Sequence, residues 1–131
     1  MPTQSLRAPD PQALAGLADR YQIRLLLLHG SYAKNTIHSS SDLDLAVLLH
    51  QPERWRDIAV DLIADLHRLF PGHEIDLVFL HRADPLLAWH ILRDGKPLIG
   101  NPGDLENRRR YAWRLYVEYG GTAAGTADRD T

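Results

Sequence analysis

The sequence contains no cysteine, which excludes both a disulfide framework and a zinc site held by thiolates. Its longest aliphatic run, Leu25 to Leu28, is far shorter than the roughly 20 apolar residues that cross a bilayer, and the N-terminal residues show no signal-peptide pattern. The formal net charge is only -2, so the chain has no overall attraction for nucleic-acid phosphates. We therefore expect a cytoplasmic protein that does not associate with membranes and does not bind nucleic acid directly.

The apolar content is 44% of 131 residues, which is enough to build the core of one domain. Periodic apolar residues extend as far as Tyr119. The remaining residues, 120–131, are small and polar and show no periodicity. The sequence therefore predicts a single domain over residues 1–119 and a disordered tail over residues 120–131.

Hydrophobic periodicity predicts alternating helices and strands. Compact apolar runs, typical of strands buried on both faces, cover residues 23–30, 43–50 and 74–81, and residues 96–100 are compatible with a short edge strand. Helical spacing covers residues 10–21, 53–70, 84–95 and 104–119, with Asp10, Asp84 and Asp104 as expected N-caps and Gly95 as a C-terminal stop. The predicted fold class is α/β (α+β), with three to four strands packed against helices.

Two acids lie at the mouth of the second predicted strand. Asp42 and Asp44 are two residues apart, so their side chains share a face, with Cα atoms roughly 6.6 Å apart. Asp76 begins the next strand and would lie within about 5 Å of the pair if the registers match. Three carboxylates are suited to magnesium, and phosphoryl-transfer sites commonly hold two divalent ions about 3.5–4 Å apart.

A Gly30-Ser31 turn ends the first strand. Glycine permits a tight turn, and Ser31 can cap a short helix whose N–H groups point at an anion, so the turn predicts a phosphate cradle. Lys34 is as compatible with a phosphate contact as with a solvated position, and Ser41 completes the set of candidate nucleotide-binding residues. An isolated pair of acids is more often an exposed strand end, but the fixed spacing from the Gly-Ser turn favours a site.

The combination of Gly30-Ser31, Asp42-Leu43-Asp44 and Asp76 on a later strand resembles the signature of the polymerase-beta-like nucleotidyltransferases. Residues 29–119 also resemble the minimal nucleotidyltransferases (MNT) of HEPN/MNT toxin-antitoxin pairs, the MntA-type antitoxins. The sequence differs from many relatives at Asn35, where they have glycine, and at Tyr32. Neither difference removes a charge that the chemistry requires.

This resemblance implies a mixed sheet packed with helices and the transfer of AMP from ATP to a tyrosine of a HEPN ribonuclease toxin, which is thereby silenced. It further implies that Asp42 and Asp44 bind two Mg²⁺ ions and that Asp76 completes the catalytic site. Gly30 and Ser31 would hold the triphosphate. Two alternatives stay open: a non-catalytic antitoxin that acts by binding alone, and an adenylyltransferase that acts on a small molecule.

The last predicted helix combines four arginines with aromatic residues. Such a mixture is typical both of a solvated basic face above an aromatic core and of a protein interface, and RNA binding is less favoured because the chain is not basic. The seven histidines lack the spacing of metal ligands and are assigned no metal role. His38, between the two halves of the motif, is compatible with a nucleotide contact or with an ordinary surface position.

Overall fold

The computed structural model describes residues 9–30 and 42–119. The elements, in chain order, are α1 (Pro11–Tyr21), β1 (Ile23–His29), β2 (Leu43–Leu49), α2 (Trp55–Leu69), β3 (Ile75–Phe79), α3 (Pro85–Asp94), β4 (Lys96–Ile99) and α4 (Pro102–Glu118). Two short 3-10 turns cover Pro52–Arg54 and Leu80–Arg82. None of the helices in these ranges is long and apolar enough to cross a membrane.

The strands form one mixed sheet in the order β3-β2-β1-β4. Strand β1 is antiparallel to both of its neighbours, whereas β2 and β3 are parallel. The predicted mixed sheet is therefore confirmed, and the segment after Gly95 is an edge strand as expected. Because β2 and β3 begin at the end of the sheet where β1 finishes, residues far apart in sequence meet there.

Helices cover both faces of the sheet, which explains why its central strands contain long runs of consecutive apolar residues. Helices α1 and α2 pack on one face, and α3 and α4 pack on the other. A β-bulge at Arg24 places Ile23 and Leu25 on opposite faces, since these two residues pair with the consecutive residues Leu49 and Leu48.

The predicted caps of α1 and α3 are confirmed. Asp10 accepts a hydrogen bond from the Gln12 N–H, and Asp84 accepts one from the Leu87 N–H at 2.8 Å. Helix α3 ends at Asp94, immediately before Gly95.

The predicted N-terminus of α4 is wrong. Asn101 caps this helix by accepting hydrogen bonds from the N–H groups of Gly103 and Asp104 at 2.7 and 3.1 Å. Pro102, which has no N–H to satisfy, takes the first helical position. Asp104 does not act as the cap because its carboxylate instead accepts two hydrogen bonds from Arg24 at 2.6 and 2.7 Å.

The predicted start of the second helix is also displaced. Residues 52–54 form a 3-10 turn, and the α-helix begins only at Trp55. The predicted tail, residues 120–131, lies outside the described residues.

Candidate active site

The predicted acids converge at one end of the sheet. In the parallel pair of β2 and β3, Asp44 lies directly opposite Asp76. In the antiparallel pair of β1 and β2, the same Asp44 lies opposite His29. Asp42 immediately precedes β2. We call this region, formed by His29, Gly30, Asp42, Asp44 and Asp76, the acid end of the sheet.

Gly30 is required here for two separate reasons. Its φ of +75° lies in the left-handed region, which side chains with a Cβ rarely adopt. A Cβ built on Gly30 would also lie only 2.2 Å from Oδ2 of Asp44, so the carboxylate occupies the space that a larger residue would need. The glycine after β1 is therefore what permits the Asp44 carboxylate to lie against the turn.

The carboxyl group of Asp44 is held in an environment that disfavours its charge. Burial raises its pKa, and the neighbouring carboxylates of Asp76 and Asp42 raise it further, as does a hydrogen bond with Asp76. His29 acts in the opposite direction and lowers this pKa. The acid end therefore places other negative charges close to a partly buried carboxylate. A bound cation would offset the repulsion between these charges.

His29 belongs to this end, although its sequence position gave no metal-ligand pattern. Burial lowers its pKa, partly offset by Asp44 and by a hydrogen bond with the backbone of Leu45. Its Nε2 atom is buried and has no hydrogen-bond partner among the described residues. The sequence signal is its position as the last residue of β1. In an antiparallel pair, the end of β1 lies opposite the start of β2, where Asp44 is found.

Asp76 is more exposed than its apolar strand suggests. The surrounding residues of β3 are apolar and suggest a position near the core, but the Asp76 side chain is exposed. Its place in the site rests instead on the register that sets it beside Asp44. Asp42 is likewise exposed, and its charge contributes to raising the pKa of Asp44.

The donor set fits a hard divalent cation such as Mg²⁺, which prefers carboxylate oxygens. Asp44 and Asp76 approach closely enough to share a hydrogen bond. Among residues 9–30 and 42–119, no group of three or more His, Cys, Asp or Glu residues is arranged so that it could hold a metal ion. This agrees with the usual behaviour of Mg²⁺, which takes one or two carboxylates and completes its shell with water and substrate phosphates.

Three of the predicted nucleotide-binding residues, Ser31, Lys34 and Ser41, lie outside the described residues, as do the predicted short helix and His38. Gly30 is the part of the predicted phosphate cradle that the structure describes. Its left-handed conformation agrees with the tight turn predicted after β1.

Comparison with known proteins places this geometry in a family. The polymerase beta nucleotidyltransferase family matches residues 12–103. The chain is 35% identical over 89 residues to the protein adenylyltransferase MntA of Shewanella oneidensis, covering 65% of this chain and 60% of that protein. It is 33% identical over 92 residues to the protein adenylyltransferase MntA of Aphanizomenon flos-aquae, covering 63% and 60%. The match thus spans about 60% of the length of these curated relatives.

Solved structures share the fold. A toxin-antitoxin crystal structure with AMP-PNP superposes with a TM-score of 0.69 at 25% identity, covering 88% of this chain and 94% of that chain. The MNT antitoxin complex with tri-AMPylated Shewanella oneidensis HEPN toxin gives a TM-score of 0.60 at 24% identity, covering 88% and 90%. With the family match extending from α1 through β4, the chain belongs to the polymerase beta nucleotidyltransferase family.

Proposed function

We propose that this chain is a protein adenylyltransferase that transfers AMP from ATP to a tyrosine hydroxyl of a cognate HEPN ribonuclease toxin, and so acts as the antitoxin of the pair. The observation that carries this proposal is the register of β2 and β3, which sets Asp44 beside Asp76 with Gly30 directly against the Asp44 carboxylate. The two curated relatives named protein adenylyltransferase support the choice of reaction. The related complex with AMP-PNP supports ATP as the nucleotide.

The reaction is a substitution at the α-phosphorus of ATP. The acceptor oxygen forms a bond to this phosphorus while the bond to the departing pyrophosphate breaks, with the two oxygens roughly in line. We infer that Asp76, whose side chain is exposed, accepts the proton of the attacking hydroxyl. Gly30, with Ser31, Lys34 and Ser41 from the adjoining loop, would contact the phosphates.

Asp42, Asp44 and Asp76 are the residues that would hold two Mg²⁺ ions. When bound, these ions would supply a lower pKa for the attacking hydroxyl and stabilisation of the charge on the pyrophosphate. The raised pKa of Asp44 is consistent with such a role, because a carboxylate crowded by two others gains most from a neighbouring cation.

A partner must present the hydroxyl, because the acid end is formed by strand ends and one turn, with an exposed Asp76 and an exposed Asp42. Small-molecule sites usually bury most of their ligand in a concave pocket. The described part of the acid end instead consists of strand ends and the turn at Gly30. This arrangement favours a protein acceptor over a free small molecule.

The test is intact mass spectrometry of the chain incubated with its cognate HEPN-domain protein, ATP and Mg²⁺. We expect the partner to gain one or more AMP units, and peptide mapping to place them on tyrosine. The Asp42→Ala/Asp44→Ala variant, shown by circular dichroism to be folded, should leave the partner's mass unchanged. A stable complex with no mass gain would instead favour an antitoxin that acts by binding alone.

A further inference from the structure

A groove of about 330 Å³ lies at the opposite end of the sheet from the acids. It opens where the end of β2, the two 3-10 turns, α3 and α4 meet. Leu48, near the end of β2, contributes to its wall, four residues beyond Asp44, which corresponds to about 13 Å along a strand. One bound protein can therefore reach both ends of the sheet.

The wall of the groove is mainly apolar. Helix α4 contributes Tyr111, Ala112 and Leu115, while Ala88 and Leu92 come from α3. Tyr111 remains 50% exposed although it borders this apolar surface. Partly exposed aromatic residues beside an apolar groove are typical of surfaces that bind apolar side chains of a partner.

Positive charge surrounds the groove. Arg108 lies in its wall and makes no ion pair with the residues that the structure describes. His81 forms another part of the wall, and its ring lies 6.3 Å from the ring of Trp55. The guanidinium groups of Arg82 and Arg56 lie 4.2 and 5.3 Å from the centre of that tryptophan ring.

Acidic groups also act on this region: Asp104, which pairs with Arg24 and whose pKa Arg108 lowers further, and Glu53, whose charge raises the pKa of His81 against the larger effect of burial. Four arginines, Arg24, Arg56, Arg82 and Arg108, therefore accompany the carboxylates of Asp104, Glu53 and Asp84 around the groove. The surface combines an apolar floor with a net positive rim.

We propose that this groove docks a segment of the acceptor protein that carries apolar side chains flanked by aspartate or glutamate. The proposal rests on the proposed function, since it assigns the acceptor a second contact away from the reacting tyrosine. An apolar segment fills the floor, and its carboxylates pair with Arg108 and Arg82. Binding at this site would hold the acceptor near the acid end without requiring a deep pocket around the tyrosine.

Other occupants fit the surface less well. Residues 120–131 of the chain itself include no apolar residue larger than alanine, so they offer little to the apolar floor. Nucleic acid would use the arginines but leave the leucine and alanine wall without a partner, and the whole chain carries a formal charge of -2.

The experiment measures the affinity of the chain for its cognate HEPN-domain protein by titration calorimetry without ATP. Arg108→Glu reverses the charge in the groove wall, and Ala88→Phe fills the groove without a charge change. We expect each to raise the Kd at least about tenfold. Arg110→Glu is the matched control, because Arg110 is on the same helix, is exposed, does not line the groove, and donates a hydrogen bond to the Asn107 side chain at 3.2 Å.

Steady-state AMP transfer separates docking from chemistry. Arg108→Glu should raise the KM for the acceptor while leaving kcat unchanged, and Arg110→Glu should change neither. Wild-type affinity in both folded groove variants, with AMP transfer intact, would overturn the groove proposal and leave the proposed function standing. Loss of binding in the groove variants, together with no AMP transfer by the wild-type chain, would overturn the function and leave the groove.

Two further results would identify a different occupant of the groove. If deletion of residues 120–131 lowers the Tm of the wild-type chain but not of Ala88→Phe, the tail of the chain itself fills the groove. If Arg108→Glu weakens binding of a labelled 20-nucleotide RNA while partner affinity is unchanged, the surface serves nucleic acid. Either result overturns the proposal.

Discussion

The two ends of strand β2 use charge in opposite ways. At the acid end, backbone register forces Asp44 and Asp76 together, and burial and neighbouring carboxylates raise the pKa of Asp44. At the groove end, the guanidinium groups of Arg82 and Arg56 are placed over the ring of Trp55. The first arrangement destabilises the protein and is suited to binding a cation, whereas the second stabilises exposed cations through an aromatic ring.

This difference indicates which residues serve chemistry and which serve structure. A group whose charged form is disfavoured by its surroundings in the fold, such as the Asp44 carboxyl, is expected to act on a ligand. A charge that the fold already satisfies, such as the Asp104 carboxylate bound by Arg24, is expected to stabilise. Substitutions at the two ends should therefore have separable effects on rate and on stability.

The largest expected effect is on the acid end. Asp76→Asn keeps the size of the side chain but removes its charge and its capacity to accept a proton, so AMP transfer should fall at least about a hundredfold. The Tm should change little, because the side chain is exposed. Asp61→Asn, at an exposed position on α2, is the control and should retain the wild-type rate. A near-normal rate for Asp76→Asn would remove this residue from the site.

Gly30→Ala tests the contact between the turn and the Asp44 carboxylate. The new Cβ would lie 2.2 Å from Oδ2 and would require a positive φ, so we expect a loss of about 1–3 kcal/mol in unfolding free energy. The displaced carboxylate should also reduce transfer. Both effects are measured by urea unfolding and by initial rates.

The control for this variant is Gly16→Ala in α1, where an added Cβ has no atom within 4 Å. This change should stabilise the protein by about 0.5–1 kcal/mol, since alanine favours helix over glycine. Equal stability changes at the two glycines would show that crowding at Gly30 does not matter.

Helix α4 offers a stability effect without a rate effect. Arg109 of α4 donates hydrogen bonds to the carbonyl oxygens of Leu92 and Gly95 at 2.7 and 3.3 Å, joining α4 to the end of α3. Arg109→Leu should cost about 1–2 kcal/mol of unfolding free energy and leave kcat unchanged. A fall in kcat at full folding would show that this contact also supports the acid end.

The smallest expected effect concerns the pH dependence of folding stability, through Tyr21 at the end of α1. Burial, followed by the hydrogen bond to Asp65 at 2.5 Å, raises the pKa of Tyr21 to about 12. Because the folded state favours the protonated phenol, its contribution is complete below pH 10 and is lost as the pH rises from 10 to about 12.

Tyr21→Phe should therefore lower the unfolding free energy by about 0.5–1.5 kcal/mol at pH 8. It should also reduce the loss of stability between pH 10 and 11.5, as measured by urea titration at each pH. An identical alkaline loss in the variant and the wild type would exclude Tyr21 as its source.

The spacing of the acids and the apolar runs could be predicted from the sequence because each depends on local periodicity. Asp42 and Asp44 are two residues apart at the start of one strand, and Gly30 follows the end of another. The register of β2 against β3, which places Asp76 beside Asp44, depends on packing between distant segments. From the sequence, the closeness of Asp76 to Asp44 could be predicted only on the condition that the two strands have matching registers.

The remaining differences have the same origin. Asn101 rather than Asp104 caps α4 because Arg24, on a distant strand, binds the Asp104 carboxylate. His29 lies in the site because β1 is antiparallel to β2, and no sequence motif marks it. The groove is formed by residues from five separate elements, and no local pattern marks it.

The central claim is that the carboxylates of the acid end act together in metal-dependent AMP transfer. Its most direct test is the initial rate of AMP transfer to the cognate HEPN-domain protein, at fixed ATP and increasing Mg²⁺, for the wild type and for folded Asp44→Asn. We predict a wild-type rate that saturates with Mg²⁺ and, for the variant, a rate at least about a thousandfold lower at every Mg²⁺ concentration. An Asp44→Asn rate close to that of the wild type at saturating Mg²⁺ would contradict the account.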